Sequence, residues 1–117
     1  MNKAIHIDST SYSPEVLLDS QGILTISGDS RLENPKNFYS DVLNKVEGND
    51  IKLLSLYYEY VGSSNILSIV HLIHELLKEY KDLTIIWKHD VLDEDIQELG
   101  EIIKDSYNLK MTLEAIQ

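Results

Sequence analysis

Apolar residues recur at every third or fourth position in three segments of the chain, 36–46, 65–80 and 93–106. This period places apolar side chains on one face of a helix, so each segment is predicted to form an amphipathic helix. Pro35 suits the first turn of the first helix, and Gly48 follows its end. The apolar stripe of the third helix is expected to comprise Leu92, Ile96, Leu99, Ile102 and Ile103.

Five shorter apolar segments flank these helices and predict strands. Segments 14–19 and 22–28 lie on either side of Gln21-Gly22, which favours a hairpin. Leu and Tyr residues partly alternate over 51–61, as in a central strand. The fully apolar run 83–87 is typical of a strand covered on both faces, and 109–116 is expected to form the final strand. The predicted order is β-β-α-β-α-β-α-β, an α/β fold with a mixed or parallel sheet.

Length, charge and residue composition exclude several classes of function. At 117 residues the chain is expected to form one domain, 1–117. The net charge of −10 would repel phosphate backbones and anionic lipid, so we expect no nucleic-acid or membrane partner; it suits a basic patch on a protein. Cysteines are absent, which removes disulfides and thiolate chemistry and fits a reducing compartment. Without a signal peptide or a membrane-length apolar run, a cytoplasmic protein is expected.

The acidic and histidine residues give little indication of a catalytic, metal or cofactor site. The acidic positions over 90–101 lack the pattern of a calcium loop and fit a solvated helix face. His71 and His74 share one helix without an evident third ligand. His89 and Asp90 end a strand, but adjacent strand residues point to opposite faces. We therefore predict no enzyme, cofactor or metal, and a small enzyme using His89 and Asp90 stays a remote alternative.

The junction Gly62-Ser63-Ser64 is the strongest local feature of the sequence. It ends the predicted central strand and starts the second helix, where free N–H groups and the helix dipole favour an anion. A phosphate on Ser63 or Ser64 would add about −1.5 to −2 charge at that edge of the sheet, enough to reject a docked partner. The simpler interpretation is that the serines only cap the helix.

Beyond these features, the chain resembles the SiaC-like regulatory phosphoproteins of bacteria over nearly its whole length. The most specific part of the resemblance is Ile26-Ser27-Gly28-Asp29-Ser30 followed by Glu33-Asn34. Other matching positions are 13–16, 24–25, Pro35, Phe38-Tyr39, 54–58, Ser63-Ser64, Trp87, 93–95 and 98–101.

This resemblance implies a STAS-like fold, similar to anti-sigma factor antagonists, and a non-enzymatic switch that binds partner proteins. Family members are phosphorylated at the strand-to-helix turn by a Ser/Thr kinase with a histidine-kinase-like ATPase fold. A PP2C-type phosphatase removes the phosphate. The unphosphorylated form can bind and activate a diguanylate cyclase, which links the family to cyclic-di-GMP signalling and biofilm formation.

One departure from the family pattern concerns the phosphoacceptor. The usual acceptor threonine falls on Val61, which cannot be phosphorylated. Either Ser63 or Ser64 is the acceptor, with Ser63 favoured, or the chain is a constitutive interaction or scaffold protein that has lost the switch. The candidate partner-binding residues span this junction: Tyr58, Tyr60, Val61, Gly62, Ser63, Ser64 and Asn65.

Overall fold

Six strands form one mixed sheet whose spatial order follows the chain, β1-β2-β3-β4-β5-β6. The computed structural model describes residues 3–117. The strands are β1 Ile5–Ile7, β2 Glu15–Leu18, β3 Ile23–Ser30, β4 Leu53–Val61, β5 Thr84–Asp90 and β6 Thr112–Ile116. The helices are α1 Pro35–Val46, α2 Ile66–Glu79 and α3 Glu94–Ser106, and a 3₁₀ turn, Ser63–Asn65, precedes α2. This confirms the predicted α/β fold class.

Strand direction divides the sheet into two parts. β1, β2 and β3 are antiparallel neighbours, whereas β3 to β6 run parallel to one another. One helix joins each parallel pair, and right-handed crossovers that advance in one direction place all three helices on the same face. Alternate residues of the central strands are accordingly buried in the core, for example Leu24, Ile26, Leu54, Leu56, Ile85 and Trp87.

Within residues 3–117, the opposite face of the sheet carries no helix, so the prediction that β5 is covered on both faces is wrong. Ile85 and Trp87 are buried, but Thr84 is exposed and Ile86 is only half-buried. The run 83–87 is apolar throughout because Ile86 adds to the partly apolar open face, together with residues such as Leu17 on β2. Apolar composition alone does not distinguish this arrangement from a sandwiched strand.

The hairpin prediction is confirmed, and an additional strand precedes it. The Asp19 carboxylate accepts hydrogen bonds from the backbone N–H groups of Gln21 and Ile23 at 2.9 and 3.0 Å, which closes the turn between β2 and β3. β1 then pairs antiparallel with β2, with Ile5 opposite Leu18. The predicted order lacked β1 because three residues are too few to show a period.

The third helix begins two residues later than its apolar stripe implied. The Asp93 carboxylate caps it by accepting from the Ile96 N–H at 3.1 Å. Leu92 lies before the helix and is 90% exposed, and Ile102 is also exposed, so both are wrongly placed in the buried stripe. Ile96 and Ile103 do pack into the core. No helix within residues 3–117 has the length and apolar character needed to cross a membrane.

Candidate functional site

The carboxyl ends of the parallel strands bring several separate loops to one edge of the sheet. The loops after β3, β4 and β5 all start there, and the loop before β2 joins them because the Arg31 N–H donates to the Tyr12 carbonyl at 2.8 Å. Among residues 3–117, eight large hydrophobic side chains are exposed, and five of them lie at this edge. These five are Tyr12, Tyr60, Leu67, Val91 and Leu92. Together with Ser63 and Ser64 they form what we call the carboxyl-edge surface.

The serine turn occupies the middle of this surface. The Gly62 N–H donates to the Ser30 carbonyl at 2.9 Å, which ties the end of β4 to the end of β3. Ser63 and Ser64 are both exposed. Neither serine is an N-cap residue, because Gly62 holds that position for the 3₁₀ turn and Asn65 holds it for α2. Helix capping therefore does not explain the two serines.

Asn65 holds the turn in place from its buried side. It is 1% exposed, and its carboxamide oxygen accepts from the Ser30 hydroxyl at 2.8 Å and from the Leu32 N–H at 3.0 Å. Its carboxamide nitrogen donates to the Leu32 carbonyl at 3.1 Å and to Ser64 Oγ at 3.2 Å. One side chain thus joins the start of α2 to the loop after β3.

A buried line of hydroxyls continues from Asn65 into the core. Ser30 Oγ lies 2.8 Å from the Tyr39 hydroxyl, which lies 2.9 Å from the Tyr58 hydroxyl. Because Ser30 gives its proton to Asn65, Tyr39 must donate to Ser30 and Tyr58 must donate to Tyr39. Burial raises the pKa of Tyr39 to about 12 and raises the pKa of Tyr58 well above its usual value, so both stay protonated donors.

We expect the two tyrosines of this line to respond unequally to removal of their hydroxyls. Tyr39→Phe should cost about 2 kcal/mol, because it leaves the buried Tyr58 O–H without an acceptor. Tyr58→Phe should cost about 1 kcal/mol, since Tyr39 can still donate to Ser30. The double variant should cost no more than Tyr39→Phe, because the orphaned donor is gone. Urea denaturation measures all three, and equal or additive losses would contradict the assigned bond directions.

The structure separates the predicted partner-binding residues into three groups by their exposure. Ser63 and Ser64 are exposed, and Tyr60 is 45% exposed, with Arg31 Cζ lying 4.0 Å from the centroid of its ring. Val61 and Gly62 are half-buried. Tyr58 and Asn65 are buried, 1% exposed each, and are positioned to support the turn rather than to touch a partner.

Several residues of the site were not found from the sequence. Ser30, Arg31 and Tyr39 belong to segments distant in sequence from the turn, and only the pairing of β3 with β4 and the packing of α1 bring them close to it. The family resemblance gave the only signals, because it already includes Gly28-Asp29-Ser30 and Phe38-Tyr39. A register shift between Gly28 and Asp29, with Gly28 at a φ of +110°, sets the end of β3 beside the turn.

The other titratable candidates do not converge with the turn. His89 is 5% exposed and its Nδ1 contacts the backbone carbonyl of Asp90 at 3.0 Å, whereas Asp90 itself is exposed. His71 and His74 are exposed on α2.

A separate cluster on the β1–β2 edge contains His6, Asp8 and Glu15, whose ligand atoms lie within 4.8 Å of one another. Its members form exposed imidazole–carboxylate contacts of 3.0 and 3.2 Å. These contacts account for the cluster without a metal ion.

Comparisons with known proteins agree on one family. The model of the SiaC family regulatory phosphoproteins matches residues 7–116. A chain in the crystal structure of the diguanylate cyclase SiaD with its activator SiaC, from Pseudomonas aeruginosa, superposes with a TM-score of 0.79 at 22% identity, covering 96% of this chain and 99% of that chain. Apo-SiaC from the same organism superposes with a TM-score of 0.73 at 24% identity, covering 97% and 100%. Among curated proteins there is no match. The chain belongs to the SiaC family of regulatory phosphoproteins.

Proposed function

We propose that this protein is a non-enzymatic switch whose unphosphorylated form binds and activates a diguanylate cyclase through the carboxyl-edge surface. The observation that carries the proposal is an exposed serine turn surrounded by exposed apolar side chains, including Tyr60 and Leu67. Large apolar groups gathered at one edge are typical of a protein-binding surface. The relative crystallised with a cyclase shares the fold over 96% of this chain.

Ser63 is the proposed phosphoacceptor. Ser64 Oγ already accepts a hydrogen bond from the Asn65 side chain, whereas the Ser63 hydroxyl has no partner among the described residues. A kinase therefore meets a free, exposed hydroxyl at Ser63. Val61, at the position of the usual acceptor, has no hydroxyl and is half-buried.

A phosphate at this position acts against docking through charge and solvation. It adds about −1.5 to −2 charge to a chain whose net charge is already −10. A partner that covers the turn would have to remove that added charge from water, which costs free energy. We assign the addition of phosphate to a histidine-kinase-like Ser/Thr kinase and its removal to a PP2C-type phosphatase, with the cytoplasm as the shared compartment.

The test measures how tightly Ser63 variants bind the diguanylate cyclase from the same organism. Ser63→Asp should weaken binding at least about tenfold, which corresponds to ~1.4 kcal/mol, because an acid replaces a neutral group at the centre of the surface. Ser63→Ala should bind as the wild type does. Isothermal titration calorimetry measures both variants.

Ser20→Asp is the matched control. Ser20 is exposed in the hairpin turn between β2 and β3, at the opposite edge of the sheet, so the same added charge should leave binding unchanged. If Ser63→Asp and Ser20→Asp both bind like the wild type, the alternative of a constitutive scaffold stands. Val61 at the family's acceptor position is the observation that favours that alternative. Loss of binding in Ser20→Asp as well would point to a general charge effect instead of a local site.

A further inference from the structure

Arg31 is held in a fixed place beside the serine turn. Its backbone N–H donates to the Tyr12 carbonyl at 2.8 Å, and both backbone groups of the next residue, Leu32, bond to the Asn65 side chain. The residue before it, Ser30, accepts from the Gly62 N–H at 2.9 Å. The backbone of Arg31 is therefore tied to the same elements that hold the turn.

The guanidinium of Arg31 is only partly engaged. Its Nε donates to an Asp29 carboxylate oxygen at 3.1 Å, and its Cζ lies 4.0 Å from the centroid of the Tyr60 ring. Its terminal nitrogens have no hydrogen-bond partner among the described residues, and the side chain is 48% exposed. Four N–H donors are thus available to a further acceptor.

The Tyr60 ring lies beside both this guanidinium and the residue that precedes Ser63. Tyr60 Cε2 lies 3.9 Å from the position that a Cβ on Gly62 would occupy, so the ring stands against the residue that precedes Ser63. Arg31 lies over that same ring, so the guanidinium and the turn share Tyr60 as a neighbour.

We propose that Arg31 is the phosphate receiver of the switch, pairing with a phosphate on Ser63. The inference rests on the proposed function. A phosphoserine offers about −1.5 to −2 charge and three acceptor oxygens, whereas Asp29 offers one carboxylate that touches Nε alone. The guanidinium fork matches phosphate oxygens in a bidentate geometry that lysine cannot reproduce.

This pairing would change the carboxyl-edge surface in two ways at once. The phosphate brings negative charge to the turn, and the guanidinium leaves the face of Tyr60 to meet it. Tyr60 then loses the cation that covers its ring in the unmodified protein. A partner that recognises the stacked Arg31–Tyr60 pair would meet a different surface after phosphorylation.

The experiment uses full-length protein with phosphoserine genetically encoded at position 63, titrated by ³¹P NMR. In the wild-type background the second pKa of the phosphate should lie about one unit below its value in Arg31→Gln, because a nearby cation favours the dianion. Arg31→Lys should recover only part of that shift. The Arg31 Nε–H resonance should move when the phosphate is present.

Lys36→Gln is the matched control, since it removes a cation from the first turn of α1 with the same net charge change. The role of Arg31 is overturned if the phosphate pKa is the same in wild type and Arg31→Gln. It is also overturned if Lys36→Gln raises the phosphate pKa as much as Arg31→Gln does. Binding to the cyclase is measured separately. If phosphoserine-63 protein binds the cyclase undiminished, the proposed function fails. If binding falls but the phosphate pKa is the same with and without Arg31, only this inference fails.

Discussion

Replacing Asn65 with leucine is expected to lower the free energy of unfolding by about 3 kcal/mol, although leucine has the same branched heavy-atom skeleton. The Asn65 carboxamide makes four hydrogen bonds, and its removal leaves the Ser30 hydroxyl and both backbone groups of Leu32 without their partner. Each buried polar group left unsatisfied costs about 1–3 kcal/mol. Urea denaturation measures the loss.

The structural effect of Asn65→Leu should be confined to the turn and the loop after β3. Hydrogen exchange at the Leu32 amide should accelerate, since Asn65 is its acceptor. Binding to the cyclase should fall because the turn and the loop after β3 are no longer held together. Asn44→Leu, the same change at an exposed position of α1, is the control and should stay within ~0.5 kcal/mol of wild type. A stable Asn65→Leu variant with unchanged Leu32 exchange would remove Asn65 from the site.

Gly100→Ala is the second large expected effect. A Cβ on Gly100 would lie 2.5 Å from Trp87 Nε1 and 2.9 Å from Trp87 Cγ. Trp87 cannot withdraw easily, because it is fully buried and its Nε1–H donates to the Ile96 carbonyl of the same helix at 2.9 Å. Alanine would gain ~1 kcal/mol in helix propensity, but we expect a net loss of about 2 kcal/mol or more from overpacking.

The indole fluorescence reports this change directly, since Trp87 is the single tryptophan of the chain. Its emission should shift in Gly100→Ala if α3 moves off the sheet. Glu101→Ala, on the exposed face of the same helix, should leave stability and emission unchanged. Combining Gly100→Ala with Trp87→Leu should cost less than the sum of the two, because the smaller side chain makes room for the methyl group. Strict additivity would mean that the two residues do not compete for space.

The fold was largely predictable because its main signals are local. The helical period of 36–46 and the turn at Gln21-Gly22 each specify their element within a few residues. The errors occurred where a local pattern is ambiguous. Leu92 continues the spacing of α3 although Asp93 caps the helix after it. The run 83–87 is apolar whether one or both faces of β5 are covered.

The candidate site was predictable only in part. A strand followed by Gly62-Ser63-Ser64 marks a turn at the edge of the sheet from sequence alone. The partners of that turn cannot be read in this way. Ser30 and Asn65 are 35 residues apart, and Tyr39 and Tyr58 are 19 apart. Their hydrogen bonds depend on the register of β3 against β4 and on where α1 packs.

The alternation of strands and helices, the acidic charge and the position of the serine turn are encoded locally in the chain. These follow from periodicity, composition and turn chemistry, which act over a few residues. Three features arise only when the chain folds: the free Ser63 hydroxyl, the support of the turn by buried Tyr58 and Asn65, and the position of Arg31 near it. They cannot be read locally, because hydrogen bonding, burial and charge proximity at this edge join segments that only the folded sheet brings together.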